Sequence, residues 1–231
     1  MYSEYVYKYE MHLHTYCSKG GADVREHIDA LIAKGVRGAV VTNHFYNGAT
    51  RIDRTLPWEE FVEAYHRDFI YGLTYAREAD FDLLFGLEEH VGGGQEILIY
   101  GVTPEIIALH PELRQASAEE YAKVIHSHGG LVYQAHPYRN RSYVQNPFPL
   151  PCLDMLDGIE VHNAANEPEW NAQAQKLADA LGLSCVAGSD GHVIGSAGYA
   201  GIAAKARIRN NSDLIRILKS GEYTRFASTD I

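Results

Sequence analysis

Short apolar runs recur along the chain, and nearly every one ends in a histidine or a carboxylate. Tyr5–Leu13 carries Glu10, His12 and, just beyond it, His14. Gly38–Thr42 leads to Asn43 and His44, and Phe81–Gly86 to Glu88, Glu89 and His90. After Gly92–Gly94, Glu96–Tyr100 forms another run. Leu131–Ala135 ends at His136, Gly158–Val161 at His162 and Asn163, and Leu183–Ala187 at Asp190 and His192. Between these runs lie segments of helical period. Asp23 with Glu26 makes a capping-box start, Ile28, Leu31 and Ile32 supply an apolar face, and Gly35 stops the helix. Further helices are predicted over Trp58–Ala79, from Ser117 (with Glu120 three residues on) to Gly129, over Glu167–Leu181 and over Asp213–Lys219. A last strand is expected near Ile202–Ile208, followed by a short tail. Strands separated by helices predict an α/β fold with a largely parallel sheet and helices outside it. Strand number favours closure into a TIM-barrel-like structure over an open sheet, and no G-x-G-x-x-G follows the first strand. No proline- or serine-rich linker interrupts the chain, so residues 1–231 read as a single domain.

In such a barrel the C-terminal strand ends share one rim, where residues far apart in sequence converge. Residues i and i+2 of a strand point to one face, which pairs His12 with His14 and Asp190 with His192. Imidazoles with a carboxylate form a common ligand set for zinc, iron or manganese. One strand-end histidine means little; recurrence at five strand ends predicts a divalent-metal centre. His27, His66, His110, His126 and His128 fall in or beside helices and read as surface residues.

Bulk properties narrow the partners. The net charge of −10 disfavours long nucleic acid, whereas bound cations would still admit a small anionic substrate. Three cysteines without a C-x-x-C pair suit a reducing compartment, and Cys17 reads as a free thiol. The N-terminal stretch lacks the pattern of a signal peptide and no apolar run is long enough for a membrane span, so a cytoplasmic location is expected. Oligomeric state is not encoded in any feature read here.

Glu10-Met-His12-Leu-His14-Thr-Tyr-Cys-Ser18 resembles the opening motif of the polymerase and histidinol phosphatase (PHP) superfamily. Thr42-Asn-His44 is similar to its second motif, usually Thr-Asp-His. Gly86-Leu-Glu88, Ala135-His-Pro137, Gly158-Ile-Glu-Val-His-Asn163 and Gly188-Ser-Asp-Gly-His192 match later motifs in the family's order. The resemblance covers almost the whole chain. It implies a distorted (β/α)7 barrel, two or three divalent ions (Zn, Mn or Fe) and phosphoester hydrolysis. By the same resemblance His12, His14, Glu88 and Asp190 would hold one ion, Glu88 and His136 a second, and His44 with His192 a third. Lys19 stands where relatives often carry an acid that supports the third site, with Asp23 a possible substitute. Leu98 stands where they often carry a histidine, leaving the second ion short of a ligand unless His90, Glu89 or Glu96 supplies it.

The ions would lower the pKa of a coordinated water and polarise a phosphoryl oxygen, so no serine or cysteine nucleophile is needed. Arg139 is the candidate clamp for a substrate phosphate, with Lys19 a second, and Glu160 and His162 would orient ligands or carry a proton. The leading expectation is a phosphatase or phosphodiesterase acting on a small phosphorylated metabolite or nucleotide. A short-oligonucleotide exonuclease is disfavoured by charge. An amidohydrolase would typically want a strand-end lysine, which this chain lacks, and a decayed non-enzymatic module has no reason to retain seven ligand-type residues.

Overall fold

In the computed structural model, which describes residues 5–228, the predicted runs become β1 (Tyr7–Leu13), β2 (Gly38–Val41), β3 (Asp82–Gly92), β4 (Gln95–Tyr100), β5 (Leu131–Gln134), β6 (Gly158–Asn163) and β7 (Ser184–Gly188). Two more strands follow, β8 (Ala200–Ala204) and β9 (Tyr223–Ala227). The helices are α1 (Val24–Ala33), α2 (Trp58–Glu78), α3 (Pro104–Ala108), α4 (Ala118–Ser127), α5 (Pro168–Leu181) and α6 (Asn211–Ser220). Part of the N-terminal stretch read for a signal sequence, residues 1–4, lies outside the described residues. Among those described, no helix is long and apolar enough to cross a membrane.

The strands form one sheet in the order β7-β6-β5-β4-β3-β2-β1-β8-β9. It curls into a nearly closed barrel because β1 divides its free edge. Tyr7–Tyr9 pair antiparallel with β8, while at the other end the chain beyond β7 takes over. There Leu13 bridges Gly191, the His14 N–H donates to the Gly191 carbonyl at 3.0 Å, and the Gly191 N–H donates to the His12 carbonyl at 3.3 Å.

Three expectations are corrected. The sheet, expected to be largely parallel, is mixed: β4 runs antiparallel to both β3 and β5, because Gly92–Gly94 turns the chain back in a hairpin with no helix between. β4 therefore begins, rather than ends, at the rim. The strand expected at Ile202–Ile208 is Ala200–Ala204, and the tail contains β9, whose outward side chains lacked an apolar signature.

Each end of the barrel has its own chemistry. Met11, Val40, Leu84, Leu98, Tyr100 and Tyr133 fill the lower interior, and α6 stoppers it with Leu214, Ile217 and Leu218. The helices α1 and α2 pack outside, around Leu13, Val24, Ile28 and Leu83. The Ser117–Glu120 capping box forms as predicted, and Asp23 caps α1 by accepting from the Arg25 N–H. His27 is corrected: it lies on the buried face of α1 with Val24, Ile28 and Leu31, while Ile32 is exposed.

Besides β3, which has one at its hairpin with β4, two strands carry an extra residue. In β1 the register against β2 slips between Glu10 and Leu13, and in β6 the register against β7 slips between Glu160 and His162. A bulge resets which residues face inward. In β1, Tyr9 and Met11 belong to the interior cluster, His12 follows them inward, and Leu13 joins the outer core. The side chain of Glu10 accepts the His12 N–H at 3.0 Å, satisfying an amide within the irregular stretch.

Candidate metal centre

Above the apolar floor, the side chains of His12, His14, His44, Glu88, His136, Asp190 and His192 converge on the barrel axis. Their ligand atoms fall into overlapping groups: His12, His14 and Asp190; His12, Glu88 and His136; His14, His44 and His192; and His44, Glu88 and Glu96. Glu88 is central, with Oε1 3.1 Å from His12 Nε2 and 3.2 Å from His136 Nε2, and Oε2 2.9 Å from His44 Nδ1. His12, His14 and Glu88 are fully buried. His44 and His192 keep 13% and 29% of their side chains exposed, so the cluster is reached from their side.

The proton positions follow from the surrounding donors. The Thr15 N–H must donate, and it does so to Asn43 Oδ1 at 2.6 Å, which fixes the orientation of that amide. Ser18 Oγ then donates to the same oxygen at 2.9 Å, leaving its lone pairs for His14 Nδ1–H at 3.0 Å and the His44 N–H at 2.9 Å. Asn43 thus performs its supporting role without the usual aspartate. His12 donates Nδ1–H to Glu160 Oε1 at 3.0 Å, and His192 donates Nδ1–H to the Asp190 carbonyl at 3.2 Å. In their neutral form all three imidazoles present Nε2 as an acceptor.

That arrangement tests whether a cation fits. The Nε2 atoms of His12 and His14 face each other at 3.1 Å with both ring protons turned away. Two such lone pairs repel unless a positive charge lies between them, and ligands at 2.0–2.1 Å from a tetrahedral zinc would sit about 3.3 Å apart. His44 Nδ1 and Glu88 Oε2, 2.9 Å apart, are buried and meet without hydrogen-bonding geometry. Orphaned atoms of this kind converging on one point fit a metal shell.

Electrostatics agree. Burial alone would raise the Glu88 pKa, yet His12 and His44 hold it well below the ordinary carboxylate range. Asp190 is depressed in the same way against burial, chiefly by Arg139 and His12. Burial lowers the pKa of His136, and burial with the neighbouring His14 brings His192 down to about 4, so both are neutral ligands near pH 7. Burial opposes charge on His12, but Glu160, Glu88 and Asp190 raise its pKa well above 6.5. The field that holds this proton is the field that would hold a cation.

Two backbone features place these groups. His136 and Asp190 adopt positive φ, 27° and 54°, a costly conformation that persists where packing enforces it. Gly188 leaves room for His12: a methyl group there would collide with the His12 Cβ and lie 2.9 Å from Glu160 Oε1.

The residues expected to assist catalysis separate into three outcomes. Glu160 faces inward and grips His12, while its Oε2 accepts the His136 N–H at 3.1 Å and Asn163 Nδ2–H at 3.0 Å. Arg139, expected as a phosphate clamp, is buried and bonded within the protein. Its Nη2 donates to Asp190 Oδ2 at 2.7 Å and Asn163 Oδ1 at 3.0 Å, and its Nε to Asn166 Oδ1 at 2.8 Å. Asp190 therefore turns only Oδ1 to the cluster, 3.1 Å from His14 Nε2. His162 is turned outward by the β6 bulge and lines a cavity of about 420 Å³ against α5, with Asn171 and Gln175. Asn163 takes the inward position that alternation from Glu160 assigned to His162.

Other candidates resolve as plainly. Lys19 is exposed on the loop after β1, and Asp23 is occupied as a helix cap. Burial pushes the Cys17 thiol up to about 12, which removes it as a nucleophile. Glu89 is buried and tied to the Tyr46, Asn47 and His90 N–H groups, bracing the loop after His44. Leu98 opposes Glu88 in the hairpin register but belongs to the apolar floor. Of the three residues named as able to complete the second site, Glu96 lies one inward position nearer the rim than Leu98. Its Oε1 lies 3.6 Å from His44 Nδ1 and its Oε2 3.4 Å from His136 Nε2, and burial together with Glu88 pushes its pKa up to about 8. The antiparallel course of β4, invisible in the alternation of runs, is what brings it there.

Residues 168–223 match a family described as PHP-associated. No curated protein matches the chain. The fold is shared with a two-domain protein from Bacteroides vulgatus containing a predicted PHP-like metal-dependent phosphoesterase, at 16% identity and a TM-score of 0.69 over 96% of this chain. This chain spans 65% of the length of that one. A protein from Bifidobacterium adolescentis that carries the name of a metal-dependent phosphoesterase is similar at 17% identity and a TM-score of 0.57, covering 91% of this chain and 95% of the other. An amidohydrolase from Chromobacterium violaceum, with bound sulfate and no metal, is similar at 18% identity and a TM-score of 0.57, covering 94% and 97%. The family model covers residues 168–223 alone, and what these solved structures share with the chain is the barrel fold.

Proposed function

We propose that this protein is a metal-dependent phosphoesterase acting on a small phosphorylated metabolite or nucleotide. The observation that carries the reading is the pair of opposed Nε2 atoms of His12 and His14, 3.1 Å apart within a ring of ligand-type side chains. Divalent cations supply an activated water and polarise a phosphoryl oxygen. His12, His14, Glu88 and Asp190 would hold one cation, His136 with Glu88 and Glu96 a second, and His44 with His192 a third. Glu160 and Ser18 fix the two imidazoles of the opening motif so that Nε2 faces the cation. Arg139 acts through Asp190, keeping it ionised and presenting one oxygen. The net charge of −10 is no obstacle to an anionic substrate, because cations reverse the local field. The names of the Bacteroides and Bifidobacterium neighbours support this bond class.

A second reading, an amidohydrolase, draws on the name of the Chromobacterium neighbour. The two separate in a single assay. The protein is stripped of metal, reloaded with manganese, zinc or iron, and offered phosphomonoesters, phosphodiesters, lactones and cyclic amides. Phosphoester turnover that chelator abolishes is the expected result; cleavage of an amide or lactone with inert phosphoesters would establish the second reading instead.

A further inference from the structure

The barrel end offers cations three chemically different surroundings. His14, His44 and His192 present nitrogen only, and His12, His14 and Asp190 present two nitrogens and one oxygen. The third is rich in oxygen: His44, Glu88 and Glu96 place their ligand atoms within 4.8 Å of one another. Glu96 reaches from this group to its neighbour, one oxygen 3.6 Å from His44 Nδ1 and the other 3.4 Å from His136 Nε2 of the His12, Glu88 and His136 group. It is buried, it opposes His90 in the hairpin register, and no hydrogen bond to its carboxylate oxygens is found among the described residues. A carboxylate buried on two imidazoles and a second carboxylate lacks the donors that would otherwise hold it there.

We infer that Glu96 is a metal ligand and that it narrows the preference of its cation position for zinc over a harder ion, manganese or ferrous iron, relative to the nitrogen-rich positions beside it. The physical reason is ligand softness. Imidazole suits zinc, while carboxylate oxygens suit manganese and other hard divalent ions. Zinc exceeds manganese in raw affinity for nearly any such site, so Glu96 sets the margin between them rather than the order. A histidine at this position would widen that margin. The centre is therefore built to hold two kinds of ion at once.

This inference rests on the reading of the barrel end as a metal centre, and the test separates the two. Wild type, Glu96→His and Glu96→Gln are stripped with chelator, loaded with manganese, and titrated with zinc. Bound manganese is followed by its paramagnetic resonance and total metal by elemental analysis. Wild type should retain manganese at one position after zinc fills the others. In Glu96→His, zinc should displace that manganese at a concentration lower by about tenfold or more. Glu96→Gln should lose the manganese while keeping the zinc, which shows that the remaining centre is folded. Equal displacement midpoints in wild type and Glu96→His, or manganese retention in Glu96→Gln, would overturn the assignment of Glu96 and leave the metal centre standing. A wild-type protein that retains neither ion would overturn both.

Discussion

The strands β1 and β6 each carry one extra residue near the rim, and the two bulges act in opposite directions. In β1 the bulge follows Met11, and His12 and His14 both end inside the barrel. In β6 it falls at Val161, so Glu160 stays inside, His162 is rotated out toward α5, and Asn163 turns in. The bulges meet across the barrel, because Glu160 of β6 holds the Nδ1–H of His12 of β1. One strand delivers imidazoles to the cluster and the other delivers the groups that orient them. A strand-end histidine is therefore a ligand only if the register above it is known.

Substitutions along the two strands sharpen this contrast, and the largest effect belongs to β1. His12→Ala removes an imidazole shared by two of the ligand groups, so phosphoester kcat/KM should fall by more than about 100-fold, with loss of cation seen by elemental analysis. Wild-type turnover in that variant would remove His12 from the centre.

Glu160→Gln should come next. The amide keeps the shape but weakens the grip on His12 Nδ1–H, and cation affinity should drop by about 10–100-fold in a competition with a metal-sensing dye. Unchanged affinity would mean that His12 needs no help from β6.

A third effect is set by pH. The folded-state pKa of His12 is raised, so the stability gained from its proton is complete below 6.5 and is lost as pH rises through the folded value. A cation replaces that proton's charge. The increase in Tm on adding manganese should therefore be larger near about pH 9 than near about pH 6. A larger increase at the lower pH would contradict this sign.

The smallest effect is expected for His162→Ala. Its ring faces the α5 cavity, and kcat/KM should stay within about twofold of wild type, with cation content unchanged. A large loss confined to kcat would bring His162 back to the chemistry and break the contrast between the strands.

What could be read in advance follows from what periodicity encodes. The convergence of the seven side chains was legible because each histidine or acid follows an apolar run, and chain order resembled a known succession of motifs. The two bulges were not, since an added residue leaves no mark in composition; alternation alone puts Glu160 and His162 on one face. Glu96 was open only as an alternative, because strand direction decides whether the start or the end of β4 reaches the rim. His27 was recoverable: Val24, His27, Ile28 and Leu31 follow the i, i+3, i+4, i+7 spacing of a buried helix face. The capture of Arg139 by Asp190 joins residues far apart in the chain, and no local pattern announces such a pair.

The claim on which all of this depends is that the barrel end binds divalent cations through His12, His14, Glu88, His136 and Asp190. Its most direct measurement is metal content per chain by elemental analysis after reconstitution and removal of loose ions. At least two divalent ions per wild-type chain are predicted. Less than one ion per chain, in protein that is folded by circular dichroism, would contradict the account.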